Sequence, residues 1–86
     1  MTYEVEYLAS VVRDDIPALP KAMKERIRRE IEGKLAKRPI EFGKPLRYSL
    51  KGGRRLRVGD CRVVYVIEGA RVTIVKIGHR KEVYEA

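Results

Sequence analysis

The sequence predicts an α+β domain: an N-terminal strand, a helical hairpin, then an antiparallel three-strand meander, forming one sheet with helices on one face. Three observations lead there. Residues 3–8 alternate tyrosine and valine with glutamate, the period of a half-buried strand. Met23, Ile27, Ile31 and Leu35 recur every fourth residue of a charged segment, the stripe of an amphipathic helix. Finally, RRLRV, RVVYVIE and RVTIVKI follow one another across the short breaks Gly59-Asp60 and Glu68-Gly69-Ala70, spacings that favour hairpins.

The elements follow in order. After the first strand, Ser10 is placed to cap a short helical stretch over residues 11–16, closed by Pro17 and Pro20. Pro20 also suits the start of the next helix, where its missing N–H costs nothing. That helix is predicted over residues 21–37, with opposite charges four apart in Glu25–Arg29, Arg26–Glu30 and Arg28–Glu32. Gly33 weakens its last turns. Arg28 and Arg29 lie among glutamates and read as solvated helix surface. Pro39 ends the helix, and a polar connection with Gly43, Pro45, Gly52 and Gly53 as breakers leads to strands at 54–58, 62–68 and 71–77. RVVYVI is apolar on both faces, which suits the sheet centre.

Composition narrows the function. The 86 residues make one domain, 1–86, with an ordinary hydrophobic fraction of 44%. No apolar run approaches the roughly 18 residues that span a bilayer, and MTYEVEYL lacks a basic-then-apolar leader pattern. No membrane association is expected, and the expected location is cytoplasmic. The single cysteine, Cys61, permits no internal disulfide or multi-cysteine metal site. With one histidine beside it, no metal or other cofactor is expected. Asp14-Asp15 reads as helix-end charge.

Charge is unevenly spread. Residues 1–42 hold nine Lys/Arg against eight Asp/Glu, whereas residues 43–86 hold eleven against four. Most of the net +8 thus falls on the meander half, pointing to a basic face that attracts polyanions. Strand parity sharpens this. Leu56 and Val58 share one side of their strand, and Arg55 and Arg57 the other, with Arg62 just across the hairpin. Folding the meander is expected to gather Arg55, Arg57, Arg62 and Arg80 near one end of the sheet. Guanidinium forks match phosphate oxygens, and Lys51, Arg54 and Lys81 extend the same RNA-binding surface. His79 is the one side chain whose ordinary pKa lies near neutrality, and Tyr84 offers a stacking surface or an orienting hydroxyl. Cleaving RNA through its 2′-hydroxyl needs a proton acceptor, stabilisation of extra phosphoryl charge and a proton for the leaving oxygen. The expected catalytic group is Arg55, Arg62, His79, Arg80 and Tyr84.

LRVGDCRVVYVI, a short turn and VTIVKIGHRKEVY, preceded by DDIPALPKAMKERIRREIEGKL, resemble the RelE/ParE superfamily of toxins from type II toxin–antitoxin pairs. The similarity runs over nearly the whole chain and favours the RelE branch. It implies a RelE-like fold, neutralisation by a cognate antitoxin, and metal-independent cleavage of mRNA in the ribosomal A site, which inhibits translation. The charge of the basic half would attract an acidic antitoxin segment, which is expected to cover the basic face. Carried over by position, Arg62 would stabilise the phosphate, Arg80 the transition state or leaving group, and Tyr84 would stack on or orient the substrate. Arg55 stands where RelE-type enzymes often have a catalytic lysine, and Gly53 where a second can occur. Arginine hardly deprotonates, so the general base is left among His79, Lys51 and a ribosomal group. Two alternatives stay open: a ParE-like inhibitor of DNA gyrase, and a weakened toxin that binds antitoxin or RNA without cutting. Oligomeric state is not legible.

Overall fold

The computed structural model describes residues 2–46 and 52–79. It contains a five-stranded sheet in the order β1-β5-β4-β3-β2, with the helical segments on one face. The strands are β1 (Glu4–Tyr7), β2 (Lys44–Pro45), β3 (Gly53–Val58), β4 (Cys61–Glu68) and β5 (Arg71–His79). β1 runs parallel to β5, Tyr7 standing opposite Ile74, and the other pairings are antiparallel. The expected strand, helical hairpin and meander are therefore present. The 21–37 helix is observed as α1 (Lys21–Glu30) continued by a wide turn over Ile31–Leu35. The short 11–16 stretch is a wide turn over Val11–Asp15, and Ser10 makes no side-chain cap bond there. In both turns an N–H reaches the carbonyl five residues back, Ile16 to Val11 at 2.9 Å and Ala36 to Ile31 at 3.0 Å, which is π-helical geometry.

One connection differs from expectation. The segment after Pro39 contains a helical turn, α2 (Pro39–Phe42), and the edge strand β2. The helical turn is secured by side chains from the meander. The Tyr65 hydroxyl donates to the Pro39 carbonyl at 2.6 Å, and one Arg54 nitrogen donates to the carbonyls of Ile40 and Gly43 at 2.6 and 2.7 Å. Such bonds satisfy carbonyls that a single turn of helix cannot satisfy itself.

The core lies between helices and sheet. Ile27, Ile31 and Leu35 bury the α1 stripe against Leu56, Val58, Val63, Tyr65, Val72, Ile74 and Ile77, while Met23 packs at the margin. The alternation predicted for β3 holds: Leu56 and Val58 are buried, whereas Arg55 and Arg57 point to the other face. On the helix surface Arg28 bridges Glu25 and Glu32, and Glu30 holds Lys34. β5 carries a bulge. Lys76 pairs with Val64 but Ile74 with Tyr65, so Val75 is the extra residue, and parity reverses beyond it.

Both hairpin loops have two residues, and each begins with a glycine at φ 59°, Gly59 and Gly69. That left-handed conformation is open to glycine at little cost. No helix among the described residues is long and apolar enough to cross a membrane.

Candidate nucleic-acid interface

β3 and β4 bring the arginines together through register. Arg57 stands directly opposite Arg62, and Lys44 on β2 directly opposite Arg55. These four residues line one pocket of about 380 Å³ with Lys34, Phe42 and Leu56. Among the described lining residues, five are cations, three of them arginines, and none is a carboxylate. Like charges placed opposite one another across a hairpin repel, and a bound anion relieves the repulsion. Arg55 donates to the Pro45 carbonyl at 3.2 Å, and Arg57 Nε to the Gly59 carbonyl at 3.1 Å. Backbone oxygens thus hold both side chains in place. The concavity and guanidinium geometry suit a phosphate group.

The other sequence-predicted residues fall in different places. Arg54, expected on the RNA-binding surface, shares the helix-facing parity of Leu56 and Val58 and fastens α2. Its two bonds to main-chain carbonyls describe a brace between sheet and helix. His79 pairs with Cys61, a member of the core, whereas Arg62 pairs with Gly78. His79 accordingly faces the helical side, at a second pocket of about 420 Å³ that Asp14, Asp15, Asp60, Met23 and Cys61 also line. Among the described residues the two pockets share none. Lys51, Arg80, Lys81 and Tyr84 lie outside the described residues.

In the second pocket, Asp14 pairs with Arg13 at 2.9 Å, a helix-end charge as expected. Asp15 does more: its carboxylate accepts the Ile77 N–H at 2.9 Å and the Lys76 ammonium at 3.1 Å.

A family model described as the ParE toxin of the type II toxin–antitoxin system, parDE, matches residues 6–84. The chain is a type II toxin of the RelE/ParE superfamily. Toxin RelG of Mycobacterium tuberculosis is 31% identical to it over 86 residues, 98% of each chain. Among solved structures, the toxin–antitoxin complex RelBE2 from the same organism matches at a TM-score of 0.84 and 30% identity, covering 93% of each chain. A mutant of E. coli toxin RelE in the free state matches at 0.77, with 15% identity over 95% of this chain and 87% of that one. That last likeness is one of fold alone.

Three residues of the toxin's basic pocket escape a reading of the sequence. Lys44 joins through the two-residue strand β2, too short for a periodic signal. Lys34 belongs to a helix that otherwise reads as charged surface. Phe42 is the one phenylalanine in the chain and sits in what reads as a loop. Arg54 could have been assigned correctly, because its even spacing from Leu56 and Val58 already sets it on the buried side.

Proposed function

We propose that this toxin is a ribosome-dependent endoribonuclease that cleaves mRNA in the A site by metal-independent attack of a 2′-hydroxyl, and so inhibits translation. The observation that carries the reading is the five-cation pocket lined by Arg55, Arg57 and Arg62. A pentacoordinate phosphorane carries more negative charge than the diester it comes from. Preorganised guanidinium groups stabilise that extra charge without reorganising solvent. In this reading Arg62 and Arg57 grip the phosphoryl oxygens from opposite strands, and Arg55 stands over the attacking side. Arg80 and Tyr84 keep the roles of leaving-group stabilisation and substrate orientation that the family resemblance suggests.

The general base is the step that the geometry reweights. His79 opens onto the helix-facing pocket, away from the arginines. Arginine itself scarcely deprotonates. The proposal therefore gives proton abstraction to Lys51 or to a ribosomal group, ahead of His79. It also gives the toxin an antitoxin partner, as in the RelBE2 complex it resembles, with an acidic segment across the basic face.

Primer extension on an actively translated mRNA tests the reading, with DNA gyrase supercoiling assayed in parallel. Cuts within codons that require ribosomes, and that vanish with Arg62→Ala, are expected. Intact mRNA together with blocked supercoiling would replace the proposal with gyrase inhibition. Intact mRNA and unaffected supercoiling would leave a toxin that binds without cutting. For the antitoxin, affinity should fall as salt rises from 50 to 500 mM, since exposed opposite charges are screened over about 10 Å at 0.1 M; a salt-independent complex would argue against an acidic cover.

A further inference from the structure

We infer that Phe42 is a stacking platform for the nucleobase next to the phosphate held by the arginine pocket, so that this residue biases the toxin toward purines at that position. The inference rests on the RNA-binding reading above and adds a base contact to it. Among the described residues, Phe42 is the single aromatic lining the basic pocket. It remains 43% exposed although it is large and apolar. Its ring is not left to wander. The Lys34 ammonium lies over it, 5.3 Å from the centroid, and Glu30 holds that ammonium at 2.8 Å. The backbone beneath is secured as well, through the Arg54 bonds to Ile40 and Gly43 on either side of Phe42. An exposed ring fixed in orientation loses little entropy when a flat partner settles on it.

Nucleic-acid geometry supplies the partner. A nucleotide joins phosphate and base through one sugar, so seating the phosphate among Arg55, Arg57 and Arg62 delivers a base into the same pocket. Surfaces that combine a positive groove with an aromatic ring bind single strands this way, the groove following the backbone and the ring taking the base. Purines present the larger π-face and gain more from such a contact. A role confined to packing α2 would demand only apolar bulk, which leucine also provides.

The test measures binding of the whole toxin to labelled trinucleotides made uncleavable by 2′-O-methylation, one with adenine and one with an abasic site at the central position. Fluorescence anisotropy would follow wild type, Phe42→Leu, Phe42→Tyr and Arg62→Ala, with circular dichroism confirming that each is folded. Phe42→Leu is expected to weaken adenine binding about tenfold and abasic binding hardly at all. Phe42→Tyr should bind like wild type, and Arg62→Ala should weaken both ligands alike. Equal losses for the two ligands on Phe42→Leu, or no loss, would overturn the platform while leaving the phosphate pocket standing. If Phe42→Leu impaired only neutralisation by antitoxin, the ring would belong to a protein interface instead. If Arg62→Ala had no effect, or wild type bound neither ligand, the RNA-binding reading would fall and the platform with it. Base-dependent binding without cleavage of translated mRNA would keep the platform and remove the nuclease.

Discussion

Asp15 closes the edge of the sheet at Ile77. β1 pairs with β5 only up to Ile74. Beyond it, one Asp15 carboxylate oxygen takes the Ile77 N–H at 2.9 Å and the other takes the Lys76 ammonium at 3.1 Å. The carboxylate stands where a longer β1 would have offered a carbonyl, and it ties the turn Val11–Asp15 to the sheet. Its side chain is only 9% exposed, so removing it leaves the Ile77 donor poorly solvated.

Asp15→Ala is therefore expected to cost about 1–3 kcal/mol, read as a lower urea midpoint. Asp15→Asn, which keeps an acceptor for the amide, should cost less. Lys76→Ala should cost below about 1 kcal/mol, because that side chain is half exposed. If the alanine and asparagine variants lost the same stability, the Ile77 bond would not be what Asp15 contributes.

Gly43 is fixed by contact, not by backbone strain. A Cβ there would overlap the Tyr65 hydroxyl and lie 2.6 Å from its Cζ and 3.0 Å from the Arg55 carbonyl. Tyr65 cannot retreat: it is fully buried and bonded to Pro39. Gly43→Ala should destabilise by about 2 kcal/mol or more through overpacking. Combined with Tyr65→Phe it should cost less than the sum of the two single changes, because the deleted hydroxyl is part of the clash. Strict additivity in denaturant titrations would show that α2 moves aside instead.

The arginine parity of β3 was legible because alternation there is unbroken, from Arg54 through Val58. The position of His79 was not, because the bulge at Val75 reverses parity inside RVTIVKI, a stretch with no glycine or proline to announce it. Pairing of β1 beside β5 is equally silent in the sequence, since a parallel neighbour leaves no turn signal. The seam between Arg54, Tyr65 and α2 depends on contacts 11 to 26 residues apart. Periodicity carries no information about contacts that distant.

Tyr65 couples stability to alkaline pH. Burial raises its pKa above the ordinary value of 10.0, and the nearby Arg54 only partly offsets this. The folded state therefore holds the phenol proton more tightly than the unfolded chain. The resulting stability is fully present below the unfolded pKa and is lost as pH rises through the folded one. Thermal midpoints should hold steady approaching pH 10 and then fall, and the fall should be shallower in Tyr65→Phe. Phenolate absorbance at 295 nm should show Tyr65 ionising only as the protein unfolds; a normal titration in the folded state would contradict the assignment.

Anion binding at the arginine pocket should be visible without RNA. A ligand that binds only the folded state stabilises it by RT ln(1 + [L]/Kd), about 1.4 kcal/mol at ten times Kd. In a domain of this size that raises the thermal midpoint by about 4–8 °C per kcal/mol. Inorganic phosphate should thus stabilise the toxin beyond sodium chloride of equal ionic strength. Arg57→Ala and Arg62→Ala should each reduce that excess, because they face each other across the hairpin and share one anion. Arg71→Ala, on β5 beside Glu6 at 3.6 Å, is the control and should keep the full phosphate effect. If Arg71→Ala and Arg62→Ala lost the effect equally, phosphate would be acting on the net charge of +8, not on a pocket.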